Sequence, residues 1–244
     1  MAEYITFQPT DYYKTQIYTG TGAENAQTFP QTTAMQPDLT WIKARAGSKS
    51  HRLFDSTRGV TKWIASDNAG VQTTTAESLK SFDSDGFTLG TYDHVNDNTV
   101  AFVSWNWKAG TTSVPSGGSI TPSAVSISTA AGFGMYKYGG ASATSTIAHG
   151  LGAAPEIIWV KSTSHATNWQ VGSTPMDSTW NNVLYFNLTH AQQNEIMYGD
   201  TAPTSTVFTL GNASESNGSG RTYIAYAWTP IKGYSAFGKY VGNN

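Results

Sequence analysis

Apolar and polar residues alternate along Ala101-Phe102-Val103-Ser104-Trp105-Asn106-Trp107, with Val103, Trp105 and Trp107 on one side and Phe102, Ser104 and Asn106 on the other. A period of two is the signature of a β-strand. Residues 222–228 repeat it, with Ile224, Tyr226 and Trp228 on one side. The bulkier side chains of both segments share a face, and that face is expected to be the core. Residues 39–43 and 157–161 are apolar on both faces, which predicts central strands. Turn signals at Asn68-Ala69-Gly70, Asp85-Gly86, Gly117-Gly118 and Asn217-Gly218 separate such runs, a spacing expected of a β-sandwich or barrel. The helical candidates are short, at 75–80 and at 189–197, the latter with Thr189 as N-cap.

The pattern occurs twice. Pro37-Asp38-Leu39-Thr40-Trp41-Ile42-Lys43 matches Pro155-Glu156-Ile157-Ile158-Trp159-Val160-Lys161 at an offset of 118 residues. Phe87-Thr88-Leu89-Gly90 matches Phe208-Thr209-Leu210-Gly211 at 121, and 102–107 matches 223–228 at the same offset. Tyr18-Thr19-Gly20 matches Tyr138-Gly139-Gly140 at 120. Four matches in one order at nearly one offset predict an internal duplication. The expected fold is all-β, two tandem β-sandwich modules of jelly-roll or lectin-like type. An N-terminal arm spans 1–16, module 1 spans 17–108 and module 2 spans 132–232. Between the modules, 109–131 is rich in Ser, Thr, Gly and Pro and reads as a linker, loop or extended chain. The tail, 233–244, holds Gly238-Lys239-Tyr240-Val241-Gly242, a partial third copy of the lead-in.

Composition narrows the class. Of 244 residues, 12% are charged, about half the usual share. The 34 Thr and 25 Ser take their place. Thirteen per cent aromatic residues argue against a disordered chain. The net charge is −2, and the 14 basic residues are scattered singly, so nucleic acid is not an expected partner. No apolar run is long enough for a membrane-spanning helix, and membrane insertion is not expected. With no cysteine, disulfides, thiolate metal sites and Cys nucleophiles are excluded. The N-terminus lacks a basic start followed by an apolar run and does not read as a secretory leader.

Chemistry is sparse. His51, Asp55 and Ser56 supply triad residue types, but six adjacent positions do not make the geometry of a triad, and a polar strand and loop is the plainer reading. Asp83 and Asp85 begin a weak calcium pattern, with Asp93, Asn96, Asp97 and Asn98 downstream. The second copy has no acidic pair there, so a tight turn is favoured and no metal or cofactor is expected. His51, His94, His149, His165 and His190 are dispersed, without zinc spacing. Trp41 with Trp159, and Trp107 with Trp228, repeat and read as shared core. Trp63, Trp169 and Trp180 have no counterpart, which makes them candidate stacking platforms for sugars or interface anchors, against a plain core role. Tyr4, Phe7, Tyr12 and Tyr13 mark the arm as a candidate docking segment on a neighbouring subunit.

The repeated strings resemble virion proteins of marine tailed bacteriophages, of the cyanophage and pelagiphage kind. The matching strings are Tyr18-Thr19-Gly20-Thr21-Gly22, 36–43 (Gln-Pro-Asp-Leu-Thr-Trp-Ile-Lys), Asp55-Ser56-Thr57-Arg58-Gly59, 84–90 and Trp105-Asn106-Trp107-Lys108. They cover both copies. The resemblance implies lectin-type sandwich modules with a structural or fibre-like role and brings no catalytic residues. Longer relatives carry further modules, so this chain is expected to be a compact two-module appendage or decoration. The expectation is a non-enzymatic virion structural protein, made in the host cytoplasm and displayed on the particle at tail, fibre or capsid. Its expected partners are other virion proteins and further copies of itself in a homo-oligomer. The alternatives are an adhesin for host-surface glycan and, last, a polysaccharide depolymerase.

Overall fold

The computed structural model describes residues 5–30 and 33–242. The chain is all-β and divides into two units, Thr6–Gly110 and a second that takes in Ile5 together with the residues from Thr111 onward.

The first unit contains β1 (Tyr13–Thr19), β2 (Asn25–Thr28), β3 (Leu39–Ala44), β4 (Arg52–Asp55), β5 (Lys62–Trp63), β6 (Thr73–Thr74), β7 (Leu79–Asp83), β8 (Gly86–Leu89), a single helical turn α1 (Asp93–Asn96), and β9 (Ala101–Trp107). One antiparallel sheet has the order β1-β9-β3-β4, and a smaller one β2-β8-β7. Tyr18, Ile42, Phe54 and Phe102 from the first meet Leu79, Phe87 and Leu89 from the second in one buried cluster. This is the layered packing of a sandwich.

The second unit contains β10 (Ala124–Ser128), β11 (Phe133–Gly139), β12 (Ser145–Ala148), β13 (Ile157–Ser162), β14 (Gln170–Ser173), β15 (Asn182–Tyr185), β16 (Gln193–Asn194), β17 (Val207–Leu210), α2 (Ser214–Asn217) and β18 (Thr222–Trp228). The main sheet runs β10-β11-β18-β13-β14-β15-β16, and β12 pairs with β17. The order β11-β18-β13-β14 is that of β1-β9-β3-β4. Tyr136, Tyr138, Ile158, Val160 and Tyr223 meet Ile147, Phe208 and Leu210 across the core.

In the first unit the core lies on the opposite face of the last strand from the one that side-chain size suggested. In β9, Phe102, Ser104 and Asn106 are buried, while Val103, Trp105 and Trp107 are half-buried on the outer face. In β18, Tyr223, Ala225 and Ala227 enter the core cluster, while Ile224, Tyr226 and Trp228, on the other face, are buried as well, as their size suggested. Rings stack across the inner faces of neighbouring strands: Tyr18 on Phe102, with 5.3 Å between centroids, and Tyr138 on Tyr223 at 5.2 Å.

Other boundaries move. β1 begins at Tyr13 and buries Lys14, so residues 13–16 belong to the first sheet rather than to an arm. Residues 109–131 are not only a connector. Val125 and Ile127 of β10 and Ile120 enter the second core, because the Ala-Val-Ser-Ile-Ser alternation suits a strand. The expected helix at 75–80 is a turn leading into β7, and that at 189–197 holds β16 and a 3-10 turn, Ile196–Tyr198, so Thr189 caps nothing. Residues 236–242 form no strand, and Tyr240 and Val241 are 94% and 93% exposed.

Candidate interaction surface

The two large sheets each turn a row of aromatic residues outward. Directly opposed residues on neighbouring strands share a face. Trp41 of β3 is therefore beside Trp105 of β9, and their rings meet edge-on at 5.6 Å. Trp41 Nε1 donates to His51 Nδ1 at 2.8 Å, which fixes the His51 ring and its tautomer. Burial holds the His51 pKa below its ordinary value. Tyr13 packs on Trp107 at 5.1 Å.

The second unit carries the denser layer. Trp159 of β13 lies 4.3 Å from Trp228 and 4.4 Å, edge-on, from Phe186. Phe133 stacks on Trp228 at 5.0 Å, and Trp169 on Tyr226 at 6.2 Å. Where β13, β14 and β15 run side by side, this layer opens into a groove of about 520 Å³ lined by Trp159, Val171, Leu184 and Phe186. Ser173, Gln192 and Lys239 supply polar groups at its wall. Leu184 and Phe186 are 39% and 37% exposed, an unusual exposure for neighbouring large apolar side chains. Such a surface can take an apolar or ring-shaped partner by stacking, with hydrogen bonds at the margin.

The unpaired tryptophans are not free platforms. Trp180 is fully buried in the second core: its Nε1 donates to Thr174 Oγ1 at 3.1 Å and its ring meets Tyr198 edge-on at 5.1 Å. Trp169 is fully buried within the outer aromatic layer, under Phe186. Trp63 is half-buried. The Arg52 guanidinium sits 3.9 Å over its ring, Tyr92 stacks at 6.1 Å and Nε1 donates to Thr75 Oγ1. At the groove the aromatics that reach the surface are instead half-buried Trp159, which repetition suggested was core, and exposed Phe186, which nothing in the pattern marked. Both lie on the solvent side of their sheet, and two-fold alternation does not say which side that is.

The remaining candidates are committed to the fold. Asp55 and Arg58 form a fully buried ion pair, Oδ2 to Nε 2.5 Å, and Arg58 Nη2 donates to Leu53 O at 2.9 Å. Ser56 Oγ donates to Asp38 Oδ1 at 2.7 Å and His51 belongs to Trp41, so His51, Asp55 and Ser56 serve three different contacts. Asp83 accepts from Ser81 and Thr88 hydroxyls, whereas Asp85 Oδ1 accepts from Met35 N and lies 3.6 Å from Lys14 Nζ. The Lys49 ammonium bridges Asp93 and Asp97 at 2.8 and 3.1 Å, and it holds the Asp93 carboxyl down at about 2. Among the described residues no group of three His, Asp or Glu could hold a metal ion. Phe7 packs edge-on against Tyr12 at 4.8 Å. Tyr4 lies outside the described residues.

Over residues 8–244 the chain matches the family described as Domain of unknown function (DUF7483), and it belongs to that family. Neither the curated proteins nor the solved structures gave a match.

Proposed function

We propose that this member of the family is a non-enzymatic structural protein of a tailed-phage virion, carried on the particle surface at tail, fibre or capsid and acting by many weak contacts. The outer aromatic layer of the second unit carries this reading, because it holds large apolar side chains at the surface while the acidic, basic and histidine groups singled out in the sequence are tied into the fold. The low charge and the tandem motifs support the virion setting. Multivalent display turns weak single contacts into firm attachment. The test is cryo-EM of the purified phage that encodes the chain. Density for the two units in many copies on the shell, or on the tail, supports the reading. Particles that lack the chain altogether overturn it.

The groove beside Trp159 favours one second reading, a carbohydrate-binding adhesin, since a half-buried indole lining a groove with Ser173 and Gln192 suits a pyranose ring. A glycan array read with the parent and with Trp159→Ala separates the two. Binding that is lost in the variant supports the adhesin, and no binding by either leaves the structural role.

A further inference from the structure

In the second unit, β10 lies antiparallel along β11, with Val125 opposite Tyr136, Ser126 opposite Met135, Ile127 opposite Gly134 and Ser128 opposite Phe133. β1 is the counterpart of β11, 120 residues earlier. Each follows the same course beside the last strand of its unit, Gly20 N donating to Val100 O and Gly140 N to Arg221 O. β1, however, is the edge of its sheet. Its bonds to β9 use the even-numbered residues, as Lys108 N donating to Tyr12 O shows. Antiparallel alternation therefore turns the N–H and C=O of Thr15 and Ile17 outward. Among the described residues, neither finds a backbone partner there. Ile17 is 61% exposed, and the only charged residue of the strand, Lys14, is buried. An open edge of this kind is a template for another strand.

The same spacing of 120 identifies the strand that would fit. Ile5-Thr6-Phe7-Gln8 aligns with Val125-Ser126-Ile127-Ser128, apolar and polar in the same alternation. In the structure these residues are not paired to β1; the chain bends at Thr6 and Phe7 and enters a 3-10 turn at Pro9–Asp11. The connection explains why. Between β10 and β11 the return passes through Gly132 at φ +63°, with Ala131 N donating to Ser128 Oγ at 3.1 Å. The counterpart of Gly132 is Tyr12, at φ −126°, and a Cβ disfavours the left-handed conformation that the hairpin uses. Pro9 fixes its own φ at the start of the turn. Asp11 N donates to Gln8 O and Gln8 N to Asp11 Oδ2, both at 2.9 Å, which locks it. The arm is held off its own β1.

We propose that residues 5–8 of a second copy fill the β1 edge, with Ile5 opposite Gln16, Thr6 opposite Thr15, Phe7 opposite Lys14 and Gln8 opposite Tyr13. Reciprocal exchange closes a two-fold dimer. The occupant is another copy because the complementing pattern stands in this chain at the spacing β10 keeps from β11. The four arm residues are uncharged and bring no second charge near Lys14. Main-chain hydrogen bonds from Thr6 to Thr15 and from Gln8 to Tyr13 supply the affinity, as in strand addition generally. The dimer adds to the structural reading a surface by which copies join, and it stands whether or not the assembly is a virion.

The protein has no cysteine, so exposed Thr6 and Thr15 can be replaced singly in the full chain. Under mild oxidation, a mixture of Thr6→Cys and Thr15→Cys should give a reductant-sensitive covalent heterodimer at several times the yield of either variant alone. A monomeric double variant with an internal disulfide would mean that the arm pairs in cis, and would overturn the proposal. So would cross-linking of Thr15→Cys to itself at equal yield, which would mean that two β1 edges pair directly. Light scattering gives an independent reading. The parent should be a dimer, and Thr6→Pro, which removes a ladder donor from the arm alone, should dissociate at least tenfold more readily with an unchanged circular dichroism spectrum. A parent that stays monomeric at high concentration sinks the idea.

Discussion

Asn96 and Asn217 make the same three hydrogen bonds, each within its own unit. The Asn96 carboxamide donates to Ala23 O and Gly90 O at 2.5 and 2.7 Å and accepts from Thr21 N at 2.9 Å. Asn217 donates to Ala143 O and Gly211 O at 2.6 and 3.2 Å and accepts from Ala141 N at 2.8 Å. Both end the one-turn helix that precedes the last strand, and both are fully buried. Just before them, Val95 O and Ser216 O accept the Tyr18 and Tyr138 hydroxyls, each at 2.7 Å. The lead-in strand, the loop after it and the helical turn are thus closed on one side chain.

Replacing either asparagine by Ala strands one buried and two partly buried backbone groups. At about 1 kcal/mol per bond and more for each orphaned group, the expected loss is about 3 kcal/mol. Differential scanning calorimetry of Asn96→Ala and Asn217→Ala should show comparable drops. A drop for one alone would mean that the two turns are not equivalent in energy.

Trp180 and Trp159 should respond differently to truncation. Trp180 is enclosed, with Gly172 so close that an added Cβ would stand 2.5 Å from its ring and 2.6 Å from that of Tyr198. Trp180→Ala is expected to cost about 3–5 kcal/mol in urea unfolding, and Gly172→Ala about 1–3 kcal/mol through overpacking. Trp159→Ala, at a half-buried position, should cost about 1–2 kcal/mol and keep the fold. Equal losses at 159 and 180 would contradict the exposure of the groove.

The Asp55–Arg58 pair tests whether Asp55-Ser56-Thr57-Arg58-Gly59 is a structural staple. Asp55→Ala leaves the guanidinium buried without its carboxylate, and about 3–5 kcal/mol should be lost. The double variant Asp55→Leu with Arg58→Met should recover much of that. Urea midpoints of the two variants decide it; a double variant no better than the single would mean that the backbone bonds of Arg58, not the charge pair, hold the turn.

Stability should fall on the acid side through His149. Its Nε2 donates to Thr204 O and its Nδ1 accepts from Leu151 N, both at 3.1 Å, so the ring is neutral in the fold. Burial holds its pKa below the ordinary value. The unfolded chain binds that proton first. This stabilisation is complete above about pH 6.5 and is lost as the pH falls below it. On the alkaline side, burial pushes Lys161 down to about 8. The unfolded chain keeps the Lys161 proton to about pH 10.4, so stability should rise from pH 8 towards 10. Burial raises Tyr18, Tyr136, Tyr138 and Tyr198, and stability should drop once the pH passes about 10. Urea midpoints of His149→Gln and Lys161→Met across pH 4–10 check both limbs: each variant should flatten its own limb and leave the other.

Alternation and repetition in the sequence were enough to predict the β class, the strands at 39–43, 101–107, 157–161 and 222–228, and the paired order of motifs in the two halves. These are local properties, since a period of two follows from the pleat of a single strand and needs no partner. Which face of each strand is buried was decided only by packing. Trp105 and Trp107 are larger than Ser104 and Asn106, yet in β9 the small polar pair is buried and the two indoles are only half-buried, because the inner space is filled by rings such as Tyr18, Phe54 and Phe87 from other strands. Trp180 and Trp169, conspicuous because unrepeated, are enclosed, Trp180 against Gly172, Thr174 and Tyr198 and Trp169 against Phe186 and Tyr226, whereas Trp159 and Phe186 meet at a groove that no spacing marks. The fate of the arm turned on one residue. Ile5–Gln8 has the same alternation as Val125–Ser128, but Tyr12 stands where Gly132 allows a left-handed turn, and only the tertiary structure shows the edge of β1 left open.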